Sequence, residues 1–147
     1  MLNQDFKEFF ESLNANKVRY LVVGGYAIAF HGHPRYTKDI DVWIEMSPEN
    51  AVRIVKALKD FGFGSLDLKV EDFLTPDQVI QLGYDPSRID ILTTIDGVDF
   101  SECYPKHMMV TVSGVEISVI DLENLKRNKK ASGRLQDLAD VEDLDPG

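Results

Sequence analysis

Residues Arg19–Glu45 read RYLVVGGYAIAFHGHPRYTKDIDVWIE, and they hold a strand, a double glycine, a helix and a second strand in that order. Arg19–Val23 is a short β-rich run stopped by Gly24-Gly25, and Tyr26–Phe30 reads as a short helix. After a loop with Gly32 and Pro34, Asp39–Glu45 alternates polar and apolar residues with the period of a strand. Asp39 and Asp41 therefore leave one face while Ile40 and Val42 point into the core. Two carboxylates so placed face one point in space. Their repulsion raises the proton affinity of one of them unless a cation is present, and hard oxygen ligands suit Mg²⁺.

On the N-terminal side, Phe6, Phe9, Phe10 and Leu13 fall at helical spacing, so Asp5–Asn14 is expected as an amphipathic helix. On the C-terminal side, Ser47-Pro48 is an N-cap with proline at the first helical position. Ala51, Ile54, Val55 and Leu58 supply the buried stripe of a helix ending near Gly62. Thr75-Pro76-Asp77-Gln78 repeats the start signal with a capping-box Gln and predicts a short helix to about Leu82. Arg88–Thr94, RIDILTT, reads as a strand. Met109–Val112 and Val115–Ile120 flank Ser113-Gly114 as a hairpin. The end is helical, with Leu122 and Leu125 before Gly133 and Leu135, Leu138 and Leu144 after it. The expected architecture is α+β, one sheet with helices packed on it, in a single domain over residues 1–147.

Composition narrows the function classes. The chain is 44% apolar with 10% aromatics, as a globular protein is, and no segment offers the roughly 18 consecutive apolar residues of a membrane span. The N-terminus MLNQDFKEFFESL lacks a basic n-region followed by an apolar h-region, so a cytoplasmic location is the default. Cys103 is the single cysteine, which excludes an intrachain disulfide. A formal charge of −9 argues against wrapping nucleic acid through a broad basic surface. Lys126, Arg127, Lys129, Lys130 and Arg134 form the one local basic run. It precedes the acids Asp137, Asp140, Glu142, Asp143 and Asp145, and on charge alone this is a solvated helix pair.

Asp90 sits among Ile89, Ile91 and Leu92, where a carboxylate in a strand interior needs a partner. That partner could be Arg88. Alternatively, Asp90 could be a third acid facing Asp39 and Asp41, completing a site that activates an attacking hydroxyl and neutralises phosphate charge. Gly24-Gly25 between strand and helix would cradle phosphates, because backbone N–H groups there bind anions and glycine permits close approach. His31 and His33 lack a third soft ligand for zinc, and neither a P-loop nor a nucleophile elbow occurs.

Gly24-Gly25, thirteen residues, Asp39-Ile40-Asp41-Val42 and a later strand acid at Asp90 resemble the pattern of the DNA polymerase β nucleotidyltransferase superfamily. GGYAIAFHGHPRYTKDIDVWIE, SPENA, RIDILTTIDGVDF and NKKASGRLQDLADVEDL resemble the bacterial AbiEii-type nucleotidyltransferases and related small stand-alone proteins. The likeness runs from about Tyr20 to Leu144. It implies a polymerase β palm-like nucleotidyltransferase fold with one mixed β-sheet. It also implies Mg²⁺ or Mn²⁺ on Asp39, Asp41 and Asp90, with Asp90 activating the acceptor hydroxyl. Gly24 and Gly25 are implied as triphosphate-binding, and Lys129 of the C-terminal motif as a phosphate contact. Arg35 and Thr37 match the loop before the acidic strand and are implied near nucleotide. Arg134, Asp137 and Asp140 match the same C-terminal motif, where an Arg–Asp pairing that fixes the last helix is an equal reading. Many members have serine at the second glycine; Gly25 can offer only its N–H.

The activity so implied is transfer of a nucleoside monophosphate from an NTP to an acceptor hydroxyl with release of pyrophosphate. The acceptor could be a tRNA 3′ end, a protein side chain or a small molecule such as an aminoglycoside, and no residue selects among them. The alternative class is an antitoxin-like or regulatory nucleotide-binding module acting through a toxin or antitoxin partner protein. Three clustered acids favour the enzyme.

Overall fold

A computed structural model of the chain describes residues 2–33, 39–63, 67–84 and 87–144. The first helix, α1, spans Gln4–Ala15, and Asn3 caps it by accepting a hydrogen bond from Phe6 N. Strand β1, Tyr20–Val23, leads directly into α2, Gly24–Phe30, so the helix starts at the double glycine rather than after it. Strand β2, Ile40–Ile44, follows. Helix α3, Pro48–Leu58, is capped by Ser47, whose hydroxyl accepts from Asn50 N, and continues into a widened turn over Lys59–Phe63.

Strands β3, Val79–Leu82, and β4, Ile89–Leu92, come next, then a short helix α4, Phe100–Cys103. The hairpin β5, Met108–Val112, and β6, Val115–Val119, precedes helices α5, Leu122–Ser132, and α6, Leu135–Leu144. The six strands form one mixed sheet in the order β3-β4-β2-β1-β6-β5. β2 runs parallel to β4 and antiparallel to β1, while β1 runs parallel to β6. This is the expected α+β architecture with one mixed sheet. None of the helices is long and apolar enough to cross a membrane, among the described residues.

Side chains on directly paired residues share a face of a sheet, and this divides the molecule. Tyr20, which packs on Phe10 of α1, is paired with Ile44, so Ile40, Val42 and Ile44 share its face. That face is closed by Phe6, Phe9, Phe10 and Leu13 of α1 and by Ala51, Ile54 and Leu58 of α3, all buried. Leu21, Trp43, Val23 and Asp41 point the other way. There Trp43 meets Phe100 of α4 edge-on, 5.1 Å between ring centres. One half of this second face is thus apolar, and the other half, at the start of β2, carries acids.

Two sequence expectations are corrected. Thr75-Pro76-Asp77-Gln78 does not open a helix; it is a turn into strand β3. The Thr75 hydroxyl donates back to Glu71 O at 3.1 Å instead of capping, and Asp77 takes φ 59°. The amides of Asp77 and Gln78 are bonded by the hydroxyls of Thr94 and Thr93, each at 3.0 Å. Residues that cap helices also make turns, and pairing of Val79–Leu82 with β4 decided between them. The C-terminal pair is not simply solvated either. Leu135 and Leu138 of α6 are exposed, whereas Asp137, Asp140 and Leu144 are buried. The inward stripe of α6 is therefore largely acidic, and it has a buried cation to face.

Candidate active site

Parallel pairing of β2 with β4 sets Asp41 directly beside Asp90, and antiparallel pairing with β1 sets it beside Val23, the residue before Gly24. Asp39 precedes β2 by one residue. All three acids line one cleft of about 790 Å³ together with Gly24, Gly25 and Lys129. Gly24 adopts φ +70°, and a Cβ built on it would stand 2.3 Å from Asp41 Oδ2. Only glycine lets this backbone lie against the carboxylate. His31 ties the end of α2 to the residue after β6, with Nε2 2.8 Å from Ile120 O.

The acids are not alone. Arg88, one strand position before Ile89, forks onto Asp90 with Nε 3.2 Å from Oδ1 and Nη2 3.5 Å from Oδ2. The same Nε lies 3.7 Å from Asp39 Oδ2. The pairing of Asp90 with Arg88 was one of the two readings of RIDIL; the reach to Asp39 was not foreseen, because it depends on the β2–β4 register. Among the described residues, no three carboxylate, imidazole or thiolate groups are gathered tightly enough to hold a metal ion as they stand. Asp41 bears the strain of the cluster. Burial, then the like charges of Asp90 and Asp39, push its carboxyl up to about 6, against the pull of Lys129 and Arg134.

The opposite wall comes from α5 and α6. Lys129 is buried, with its Nζ 3.0 Å from Asp137 Oδ1 and 3.3 Å from Asp140 Oδ2. Arg134 Nε donates to Asp137 Oδ2 at 2.6 Å, and Ser132 Oγ donates to the same oxygen at 2.6 Å. Burial works to raise the Asp137 carboxyl, but these bonds outweigh it and hold it well below the usual carboxylate range. The Arg–Asp pairing considered for the last helix is therefore present, and Lys129 is part of it as well as of the cleft wall. Ser132 was missed; its one signal is the i, i+3 offset from Lys129 on the same helix. Asn128, the first residue of the C-terminal motif, also lines the cleft, as do Asp96 and Thr94, which gave no signal in the sequence. Arg35 and Thr37 lie outside the described residues.

The donor chemistry suits a divalent cation and a phosphate chain. The acidic wall offers three hard carboxylates whose mutual repulsion a cation would relieve, and the glycine backbone offers an approach that any Cβ would fill.

The model of the aminoglycoside-2''-adenylyltransferase family matches residues 5–141 of this chain. No curated protein matches it. Seven solved chains do. A Thermotoga maritima protein described as a nucleotidyltransferase is 20% identical with a TM-score of 0.58; the match covers 95% of this chain and 87% of that one. An antigenic nucleotidyltransferase-like protein of Paracoccidioides brasiliensis is 14% identical with a TM-score of 0.56, over 99% of this chain and 78% of that one. At such identities these neighbours show the fold. The family that matches is the aminoglycoside one, and the AbiEii-type likeness stays a reading of the motifs.

Proposed function

We propose, from the premise that this chain belongs to the aminoglycoside-2''-adenylyltransferase family, that it moves a nucleoside monophosphate from an NTP to a hydroxyl of a small, cationic acceptor. The observation that carries the proposal is the adjacency of Asp41 and Asp90 across parallel strands, with Asp39 and the Gly24-Gly25 backbone on the same cleft. Asp39 and Asp41, with Asp90 beside them, would hold Mg²⁺ or Mn²⁺, which supplies charge neutralisation at the triphosphate. The backbone of Gly24 and Gly25 lies against the phosphates. Lys129 and Arg134, whose charges are felt at Asp41, add positive potential from the facing wall.

The acceptor oxygen attacks the α-phosphorus, its proton passes to Asp90, and the bond to pyrophosphate breaks. Positioning and electrostatics supply the catalysis, since phosphoryl chemistry asks for little else. The choice of a small cationic acceptor rests on the family's name and on charge. A chain at −9 disfavours a polyanionic RNA and favours a polyamine-like alcohol.

Incubation with each α-labelled NTP and Mg²⁺ or Mn²⁺, with an aminoglycoside, total tRNA or a protein lysate as acceptor, tests this. Label on the aminoglycoside, lost in Asp41→Asn, is expected. Label on RNA or protein would overturn the acceptor class. No label with any acceptor, together with NTP binding that ignores EDTA, would overturn the catalytic reading.

A further inference from the structure

Arg88 stands where the acids need a counter-charge. Its guanidinium takes both oxygens of Asp90, at 3.2 and 3.5 Å, and its Nε is 3.7 Å from an oxygen of Asp39. Asp90 is the more enclosed partner, its side chain 12% exposed against 35% for Arg88 and 34% for Asp39. The planar fork fits a carboxylate on both oxygens and orients it. A divalent ion drawing on Asp39 and Asp90 would have to use oxygens that this guanidinium already engages.

We infer that Arg88 is a positioning residue with two consequences: it orients Asp90 through its fork, and it competes with the divalent cation for Asp39 and Asp90, so that it sets the metal affinity of the cleft. The inference rests on the reading of these acids as a metal site. It goes beyond that reading because it assigns Arg88 an effect opposite to that of a supporting partner. An arginine that merely propped Asp90 in place would raise metal affinity, and its loss would weaken binding. A competing cation lowers metal affinity, and its loss tightens binding. Coulomb repulsion between a guanidinium and a divalent ion a few ångströms apart is enough for at least about a tenfold effect at a partly exposed site.

Removal of the guanidinium leaves Asp90 enclosed without that partner, so two variants are needed. Arg88→Gln removes the charge and keeps a donor; Arg88→Lys keeps the charge and loses the fork. Mn²⁺ titration in the absence of nucleotide, followed by the loss of the free-ion electron paramagnetic resonance signal, reads metal affinity directly. Arg88→Gln is expected to bind Mn²⁺ at least about tenfold more tightly than wild type, and Arg88→Lys to fall between them. Mn²⁺ should also raise the melting temperature of Arg88→Gln by more than it raises that of wild type.

Equal or weaker Mn²⁺ binding in both variants, while wild type binds and Asp41→Asn does not, would overturn the role of Arg88 and leave the metal site standing. Should wild type take up no Mn²⁺, or Asp41→Asn take up as much as wild type, the metal reading itself fails and the role of Arg88 falls with it.

Discussion

Apart from the exposed Arg134, the two walls of the cleft are both built from buried or half-buried charges, yet they are balanced differently. On the α5–α6 wall, among the described residues, Lys129 and Arg134 meet Asp137 and Asp140, two cations against two acids. On the sheet wall, among the described residues, Arg88 pairs with Asp39 and Asp90, while Asp41 feels those two acids as like charges. The carboxyl shifts follow. Asp137 is held well below the usual range, whereas Asp41 is pushed up to about 6. A balanced cluster has no need of a ligand and serves to hold two helices together. A cluster with surplus negative charge is destabilised as it stands and is relieved by a bound cation. The contrast separates scaffold from site on physical grounds, and each variant below tests one side of it.

The largest effect belongs to the balanced wall. Asp137 is 1% exposed and accepts from Lys129, Arg134 and Ser132 at once. Asp137→Ala strands the buried ammonium of Lys129 with Asp140 alone, and breaking a buried ion pair by removing one partner costs roughly 3–5 kcal/mol. Urea unfolding should show a loss of that size. A loss below about 1 kcal/mol would mean that α6 is not held by this network and that the balanced wall is no scaffold.

Gly24→Ala comes next and attacks the surplus wall sterically. A left-handed φ costs an L-residue about 1–2 kcal/mol. The added Cβ would also stand 2.3 Å from Asp41 Oδ2, so the carboxylate must move. Stability should fall by about 1–2 kcal/mol, and metal-dependent NTP binding measured by calorimetry should be lost with it. Unchanged NTP affinity would show that the close approach of Gly24 to Asp41 is unrelated to nucleotide.

Much of this contrast could be read before the fold was known, but not all of it. The alternation in DIDVWIE placed Asp39 and Asp41 on one face, and the apolar neighbours of Asp90 marked it as an enclosed acid, because strand periodicity is local. That Asp41 and Asp90 are direct neighbours depends on the β2–β4 register, a pairing across nearly fifty residues that no local pattern encodes. The burial of Lys129 was hidden for another reason. Apolar periodicity is the signal used to find a helix's inner face, and on α6 that face is Asp137, Asp140 and Leu144, while Leu135 and Leu138 face solvent. Thr75–Gln78 failed because the residue types that start helices also form turns.

Asp41→Asn is expected to make the protein more stable while abolishing its metal binding. The carboxyl titrates at about 6 in the folded chain against 3.8 without the fold's influence, so the folded state binds the proton more tightly. Its favourable contribution is therefore complete below pH 4 and is lost as the pH rises through 6. Asn, which has no charge to lose, should gain about 1–2 kcal/mol over wild type at pH 8 in EDTA, allowing for the partial exposure of Asp41, and nothing at pH 3.5. Chemical denaturation at the two pH values reads the difference. Equal stability at pH 8 would mean that neither burial nor the like charges of Asp90 and Asp39 disfavour the charged Asp41, and the surplus wall would lose its distinguishing feature.

The smallest effect is expected from Arg134→Ala, although its bond to Asp137 is among the shortest in the molecule at 2.6 Å. Length misleads here, because the Arg134 side chain is 77% exposed and water screens its charge. Asp137 would keep Lys129 and Ser132, so no buried group loses its last partner. The loss of stability should stay below about 1 kcal/mol, as for exposed pairs generally. Function should respond more than stability does. Arg134 is one of two cations that draw the Asp41 carboxyl down, so its removal should move the Asp41 titration upward, which carbon-detected NMR of the side chain would follow. NTP affinity should fall severalfold at low salt and by less at high salt, since an exposed charge acts through a screened field. A stability loss as large as that of Asp137→Ala would place Arg134 with the scaffold and blur the line between the two walls. A normal Asp41 titration with normal NTP affinity would remove Arg134 from the field of the cleft and leave Lys129 as the cation that the facing acids sense.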